Sequence, residues 1–250
     1  MNRLSTEQRA KVVSVLVEGN SLRATARITG VARMTVEKLL RDLGTACKQH
    51  HDATVRNLRS KHIQCDEIWS FVGAKQKNVP EAKRGQWGDI WTWTALDADS
   101  KLIVGYRVGQ RTAIDAYSPG KIIGVKSATV TGDPNPKHIS TSHVERQNLT
   151  MRMHMRRFTR LTNGFSKKIE MHAHNVALHF AYYNFCKIHQ TLRVTPAMEA
   201  GLTDHVWDIT ELVALLQAEA TAERACSPVR TLPEPNLKLQ SDRSDSAPRT

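Results

Sequence analysis

The chain has 250 residues, 36 Lys and Arg against 24 Asp and Glu, a formal net charge of +12 and a pI near 9.8. That length holds one good-sized core plus a small appended domain, and the charge favours polyanionic partners, nucleic acid first. Cys47, Cys65, Cys186 and Cys226 lack the spacing of a disulfide framework, and no stretch is apolar enough for a signal peptide or a membrane span; both point to a reducing cytoplasm.

The first segment, residues 5–44, is helical in pattern. Ser5 with Gln8 forms a capping-box start, Val12, Val13 and Leu16 make an apolar stripe, and Gly19 stops the helix. Ser21 opens a second short helix in "SLRATARITG", and Gly30 turns the chain into "ARMTVEKLLRDLG", with Val36, Leu40 and Leu43 on one face. Two short helices joined by a Gly-containing turn form a helix-turn-helix pattern. Read as a DNA-binding unit, Arg33, Thr35 and Lys38 enter the major groove, while Arg23, Arg27 and Arg41 hold phosphates. The bland alternative is a three-helix bundle with solvated cations; the turn spacing and the sign of the charge favour DNA.

Residues 47–61 are polar, His-rich and basic, and read as a linker between this unit (1–46) and a second domain (62–215). Cys47 and His50, then His62 and Cys65, have zinc-like spacing, but Cys65 falls inside a strand rather than on a turn, which argues against a zinc site. "HIQCDEIWSFVG" has the apolar content of a strand and carries two adjacent acids, Asp66 and Glu67. A buried carboxylate costs several kcal/mol unless a partner, a proton or a metal compensates it, so the pair marks a candidate site. "GDIWTWTALDADSKLIVGYRVGQR" reads as two strands around a turn at Asp97 to Ser100, giving a three-stranded antiparallel meander.

Next come a short "TAIDAY" piece, a β-like run "KIIGVKSATVTG" and the break "DPNPK". Two helices follow. The first, in "STSHVERQNLTMRMHMRRF", places Val144, Met151, Met155 and Phe158 inward; the second, in "SKKIEMHAHNVALHFAYYNFCKIH", does so with Ile169, Ala173, Val176 and Phe180. Residues 227–250 have little apolar content and are expected to be disordered. On the first of these helices Glu145 has Asn148 and Arg152 three and seven positions on, a face suited to a metal beside phosphates; alone, Glu145 reads better as an ordinary solvated acid. Two carboxylates from distant parts of the chain suit a two-metal phosphoryl-transfer site, for which Mg²⁺ (or Mn²⁺) with oxygen ligands is the natural ion.

Taken together, the helix-turn-helix, "CDEIW", "WTWTALDADSKLIVGYRVGQR", "DPNPKHISTSHVERQNLTMRMHMRRFTRLTNGFSKK" and "YNFCKIHQTLRVTPAM" resemble transposases of the insertion sequence 1 type, over nearly all of residues 1–215. The resemblance implies an α/β fold with a ribonuclease-H-like catalytic domain of the DDE group. It selects Asp66 as the first catalytic acid and Glu145 as the last, both metal ligands, with Asn148 and Arg152 near DNA or substrate phosphate. It further implies DNA cleavage and strand transfer at element ends, a homo-oligomer assembled on double-stranded DNA, and a bacterial, nucleoid-associated setting.

One departure stands out. The family pattern carries a middle Asp after a helix and a fourth strand, whereas only 26 residues, 112–137, with three Gly and three Pro, separate Arg111 from His138 here. That is too short for those elements, as if an internal deletion had removed the middle acid. Asp133, and less well Asp115, are the available substitutes; without one, catalysis is expected to be impaired or lost. The competing expectation is a non-catalytic, sequence-specific DNA-binding protein, such as a repressor of the parent element.

Overall fold

The computed structural model describes residues 4–110, 140–159 and 163–225, the side chains up to 217. Asp115, Asp133, the "KIIGVKSATVTG" run, the inferred deletion and the tail from 227 lie outside the described residues.

Three helices open the chain: α1 (Thr6–Val17), α2 (Leu22–Thr29) and α3 (Arg33–Thr54). The expected caps are present. Ser5 Oγ accepts from Gln8 N–H at 3.2 Å while Gln8 Oε1 accepts from Ser5 N–H at 3.1 Å, and Ser21 Oγ accepts from Ala24 N–H at 3.1 Å. Gly30, at φ 72°, ends α2 in the left-handed region that glycine tolerates best.

The linker reading of 47–61 fails for its first half, because α3 continues to Thr54. The apolar stripe Val36, Leu40, Leu43 carries on through Cys47 and His51, both buried. His51 looks polar in sequence, yet its Nε2 lies 3.1 Å from the carbonyl of Ile103 and its ring packs 5.1 Å from that of Tyr106. A side chain read as solvated instead ties α3 to the sheet.

The sheet has the expected meander, β1 (Ile63–Val72), β2 (Gly88–Asp97) and β3 (Ile103–Gly109), antiparallel in the order β1-β2-β3. Strand alternation sorts its faces. Ile68, Ser70 and Val72 of β1 with Ile90, Thr92, Thr94 and Leu96 of β2 are buried on one side, whereas Trp69, Phe71, Trp91 and Trp93 are only half-buried on the other.

The helices α4 (Ser142–His154) and α5 (Ile169–Ala181) cover the first face, bringing Val144, Met151, Met155, Phe158, Val176 and Phe180 against Ile68, Leu96 and Ile103. Of the inward residues expected on α5, Ile169 and Ala173 are only half-buried; Met171, His172 and Leu178 are buried in addition to Val176 and Phe180. The α5 pattern is skewed because the helix is covered from two sides. Its other flank joins α1, α3 and α7 (Ile209–Ala225) in a second apolar cluster containing Val12, Leu40, Met171, Leu178 and Leu212. The short α6 (Pro196–Glu199) has Thr195 as its N-cap, and α7 carries the chain beyond the boundary expected at 215.

After α5 the chain makes a π-helical turn, Tyr182–Cys186, which points Asn184 back at the sheet. Its buried amide accepts from Ile103 N–H at 3.0 Å and donates to Ile103 C=O at 3.1 Å, satisfying the backbone where β3 begins. Among the described residues no helix is long and apolar enough to cross a membrane.

Candidate functional site

The geometry resolves the ambiguity of the adjacent acids. Gln64, Asp66 and Ile68 stand on the β1 face that α4 covers, and each engages that helix. Gln64 Oε1 accepts from the N–H groups of His143 and Val144 at 3.0 and 3.1 Å, using two of the unpaired donors in the first turn of α4. Two residues along, Asp66 Oδ2 accepts from Asn148 Nδ2 at 2.6 Å, and two further, Ile68 is fully buried beside Val144 and Met151. Glu67, one position away, points to the opposite face, opposite Trp93 of β2.

Asn148 is 7% exposed, and while its amide nitrogen is taken by Asp66, its Oδ1 is buried with no partner among the described residues. The hydroxyl of Thr94, which faces Asp66 across the β1-β2 ladder, is likewise buried without a partner among the described residues. Oxygen atoms left without hydrogen bonds in a protein interior are costly, so this corner holds unused ligand capacity beside a carboxylate.

Glu145 lies one turn before Asn148 on α4 and is exposed, accepting a hydrogen bond from Thr141 Oγ1 at 2.6 Å. Arg152, half-buried, continues the same stripe one turn beyond Asn148. The structure therefore brings Asp66 and Asn148 into contact, with Glu145 on the same helix edge. All of these donors are hard oxygens, the type Mg²⁺ or Mn²⁺ takes. Among the described residues no group of three or more His, Cys, Asp and Glu converges.

Besides Asn148 and Arg152 on α4, the residues expected to touch DNA lie on α2 and α3 and are all exposed: Arg23, Arg27, Arg33, Thr35, Lys38 and Arg41. They divide by their partners. Lys38 pairs with Asp42, and Arg41 lies 3.9 Å from Glu37, both along one helix face. Arg23, Arg27 and Arg33 instead open onto a groove whose far side is formed by residues 154–157 and 163–168.

Behind that far side is a buried polar network that sequence reasoning missed. Arg157 donates to Ser166 Oγ at 2.7 Å, His172 Nδ1 lies 3.0 Å from the same hydroxyl, and His172 Nε2 lies 3.3 Å from Ser70 Oγ of β1. Burial, aided by the nearby Arg157 charge, pushes the His172 imidazole down to about 3, and burial lowers the Arg157 guanidinium to about 10. His179, about two turns further along α5, is also pushed down to about 3 by burial, then by the charges of His154 and Lys187. The sequence signal for the network is weak, since Ser70, Ser166 and His172 come from separate elements and only the fold joins them.

Comparison with known proteins finds likenesses in sequence. The IS1 transposase family profile matches residues 126–186, a span that includes α4 and α5. The insertion element iso-IS1n protein InsB of Shigella dysenteriae is 29% identical over 124 residues, covering 44% of this chain and 86% of that protein. The insertion element IS1 protein InsB of Shigella sonnei is 28% identical over 123 residues, with the same coverage of 44% and 86%. Insertion element IS1 9 protein InsB of Escherichia coli K12 is 28% identical over 123 residues, covering 44% of this chain and 67% of its own. No solved structure matches. The class these likenesses define is the transposase of an insertion element. Within it, the chain is similar to the IS1 type.

Proposed function

We propose that the chain is a DNA transposase of an insertion element, in which α1–α3 act as a helix-turn-helix unit on the element ends and residues 62–215 form a ribonuclease-H-like domain of the DDE group. The observation that carries this reading is the hydrogen bond between Asp66 of β1 and Asn148 of α4, a carboxylate seated beside buried oxygens of Asn148 and Thr94 that lack a partner among the described residues, with α4 inside the span matched by the IS1 transposase profile. Asp66 and Glu145 are the residues that would hold a divalent ion, Mg²⁺ or Mn²⁺, and Asn148 fixes the Asp66 carboxylate. When bound, such ions activate water or a 3′-hydroxyl and stabilise the leaving oxygen of an in-line displacement. Arg152 stands beside the substrate phosphate, and Arg23, Arg27 and Arg33 grip the flanking duplex while Thr35 and Lys38 read base edges. The active assembly is a homo-oligomer on DNA in a bacterial cytoplasm.

The short interval between β3 and α4 supports a second statement: the middle acid of the DDE set is missing, and cleavage by this chain is impaired or lost. That interval also favours the competing reading of a DNA-binding protein without catalysis. Cutting of duplex DNA bearing the element ends, in Mg²⁺ or Mn²⁺, by the natural chain and by Asp66→Ala separates the two. Cutting by the natural chain alone supports the transposase. Binding without cutting by either leaves the repressor reading, and no binding at all removes both.

A further inference from the structure

The groove facing α2 and α3 has a volume of about 940 Å³ and two basic walls. One carries Arg23 and Arg27, a turn apart on α2, with Arg33 at the start of α3; the other carries Arg156, Lys167 and Lys168. All six are exposed, and no ion pair among the described residues involves them. Among the described residues the sole acid on the lining, Glu37, lies 3.9 Å from Arg41. Below the second wall, the half-buried Arg157 has a neutral partner, Ser166, so its charge is not cancelled locally.

Like charges lining one groove repel, a cost that the single acid Glu37 among the described lining residues does not cancel. A polyanion threaded between them would offset it, and a phosphodiester strand has the regular negative charge needed to meet both walls at once. The rigid mounting of the walls favours a defined path. Gly19, at φ 80°, lies so close to His154 that an added Cβ would sit 2.5 Å from the His154 carbonyl oxygen, so the α1-α2 turn is seated directly against the end of α4. The Asp66 corner is on that same helix.

We infer that this groove holds one strand of the bound DNA duplex, with Arg156, Lys167 and Lys168 as phosphate-binding residues additional to those of α2 and α3. This rests on the DNA-binding reading and assigns a path to it: the strand gripped beside α3 is led along the end of α4, the helix that also carries Asn148.

The test uses the full chain and a short mixed-sequence DNA duplex. In the first measurement, binding is followed against salt for the natural chain and for the triple variant Arg156→Gln, Lys167→Gln, Lys168→Gln. Removing one cation from a DNA phosphate reduces the slope of log affinity against log salt by about 0.9, so the triple variant should show a slope shallower by roughly 2 to 3 units. The second measurement needs no variant: amine-reactive labelling of Lys167 and Lys168 in the natural chain should be suppressed by the duplex and restored at high salt. An unchanged slope together with unprotected lysines overturns the groove while leaving DNA binding by α2 and α3 intact. Failure of the natural chain to bind any duplex would instead overturn the function on which the groove rests.

Discussion

The Asp66 corner and the basic groove sit at two places along α4 and are built in opposite ways. At the corner, a half-buried carboxylate and a buried amide meet at hydrogen-bond distance beside a buried hydroxyl, with positions set by a strand and a helix packed through Ile68, Val144 and Met151. In the groove, exposed cations line the walls, and no acid among the described residues pairs with them. A buried site depends on geometry, so one atom out of place removes its effect. An exposed charged surface acts by summation, is screened by salt and tolerates single losses. Under the proposed function the first would do chemistry and the second would grip DNA, and the contrast can be broken at either end.

The largest effect is expected from Asp66→Ala. If the natural chain cuts end-bearing DNA, this change should lower the rate by about a thousandfold or more, roughly 4 kcal/mol of barrier, with duplex affinity altered little. A parallel loss of affinity would mean that the corner also grips DNA, and the distinction between the two regions would fail.

Next in size is the acid sensitivity of the buried imidazoles behind the groove. His172 and His179 both titrate near 3 in the fold, below the ordinary value of 6.5, so the unfolded chain binds more protons between these limits. Stability from this source is fully present above pH 6.5 and is lost as pH falls toward 3, at up to about 1.4 kcal/mol per pH unit for each imidazole. Urea unfolding followed from pH 7 to pH 5 should show that slope, and His179→Phe should remove about half of it.

A third change tests the frame that holds both regions. An added Cβ at Gly44 would lie 2.6 Å from the Cβ of His174 and 2.7 Å from its backbone, where α3 crosses α5. Gly44→Ala should destabilise the chain by about 1 to 3 kcal/mol by forcing those helices apart, read as a lower urea midpoint at constant slope. The smallest expected effect sharpens the corner itself. Asn148→Asp sets a second carboxylate against Asp66, so the melting temperature in EDTA should fall by a few degrees, about 1 kcal/mol, and Mg²⁺ should restore it. No recovery with Mg²⁺ would show that the oxygens do not converge on a cation.

Much of the frame is legible in the residue order, because its signals are local. Ser5 with Gln8, Ser21 and Gly30 declare helix ends through hydrogen bonds that span only a few residues, and the apolar stripes of α1 and α4 match their buried faces. The meander can be read from two-residue alternation and the turn after Asp97. The linker reading fails at residues 47–54 for the converse reason. His51 is a core residue only because Ile103 and Tyr106, more than 50 positions later, receive it. The same holds for the α5 stripe, whose expected spacing suits a helix with one covered face, whereas α5 is packed on two.

By itself, then, the sequence determined the helical opening, the three-stranded meander and the excess of positive charge, which rest on local spacing or on composition, and the resemblance to IS1 transposases, which rests on particular matched stretches. Only the tertiary structure decided which of the two adjacent acids meets α4, that Asn148 is its partner, and that Arg23, Arg27 and Arg33 line one groove with Arg156, Lys167 and Lys168. Those pairings join residues more than 80 and more than 120 positions apart, and helix or strand periodicity carries no information over such distances; packing of β1, α4 and α5 around shared apolar side chains is what brings them together.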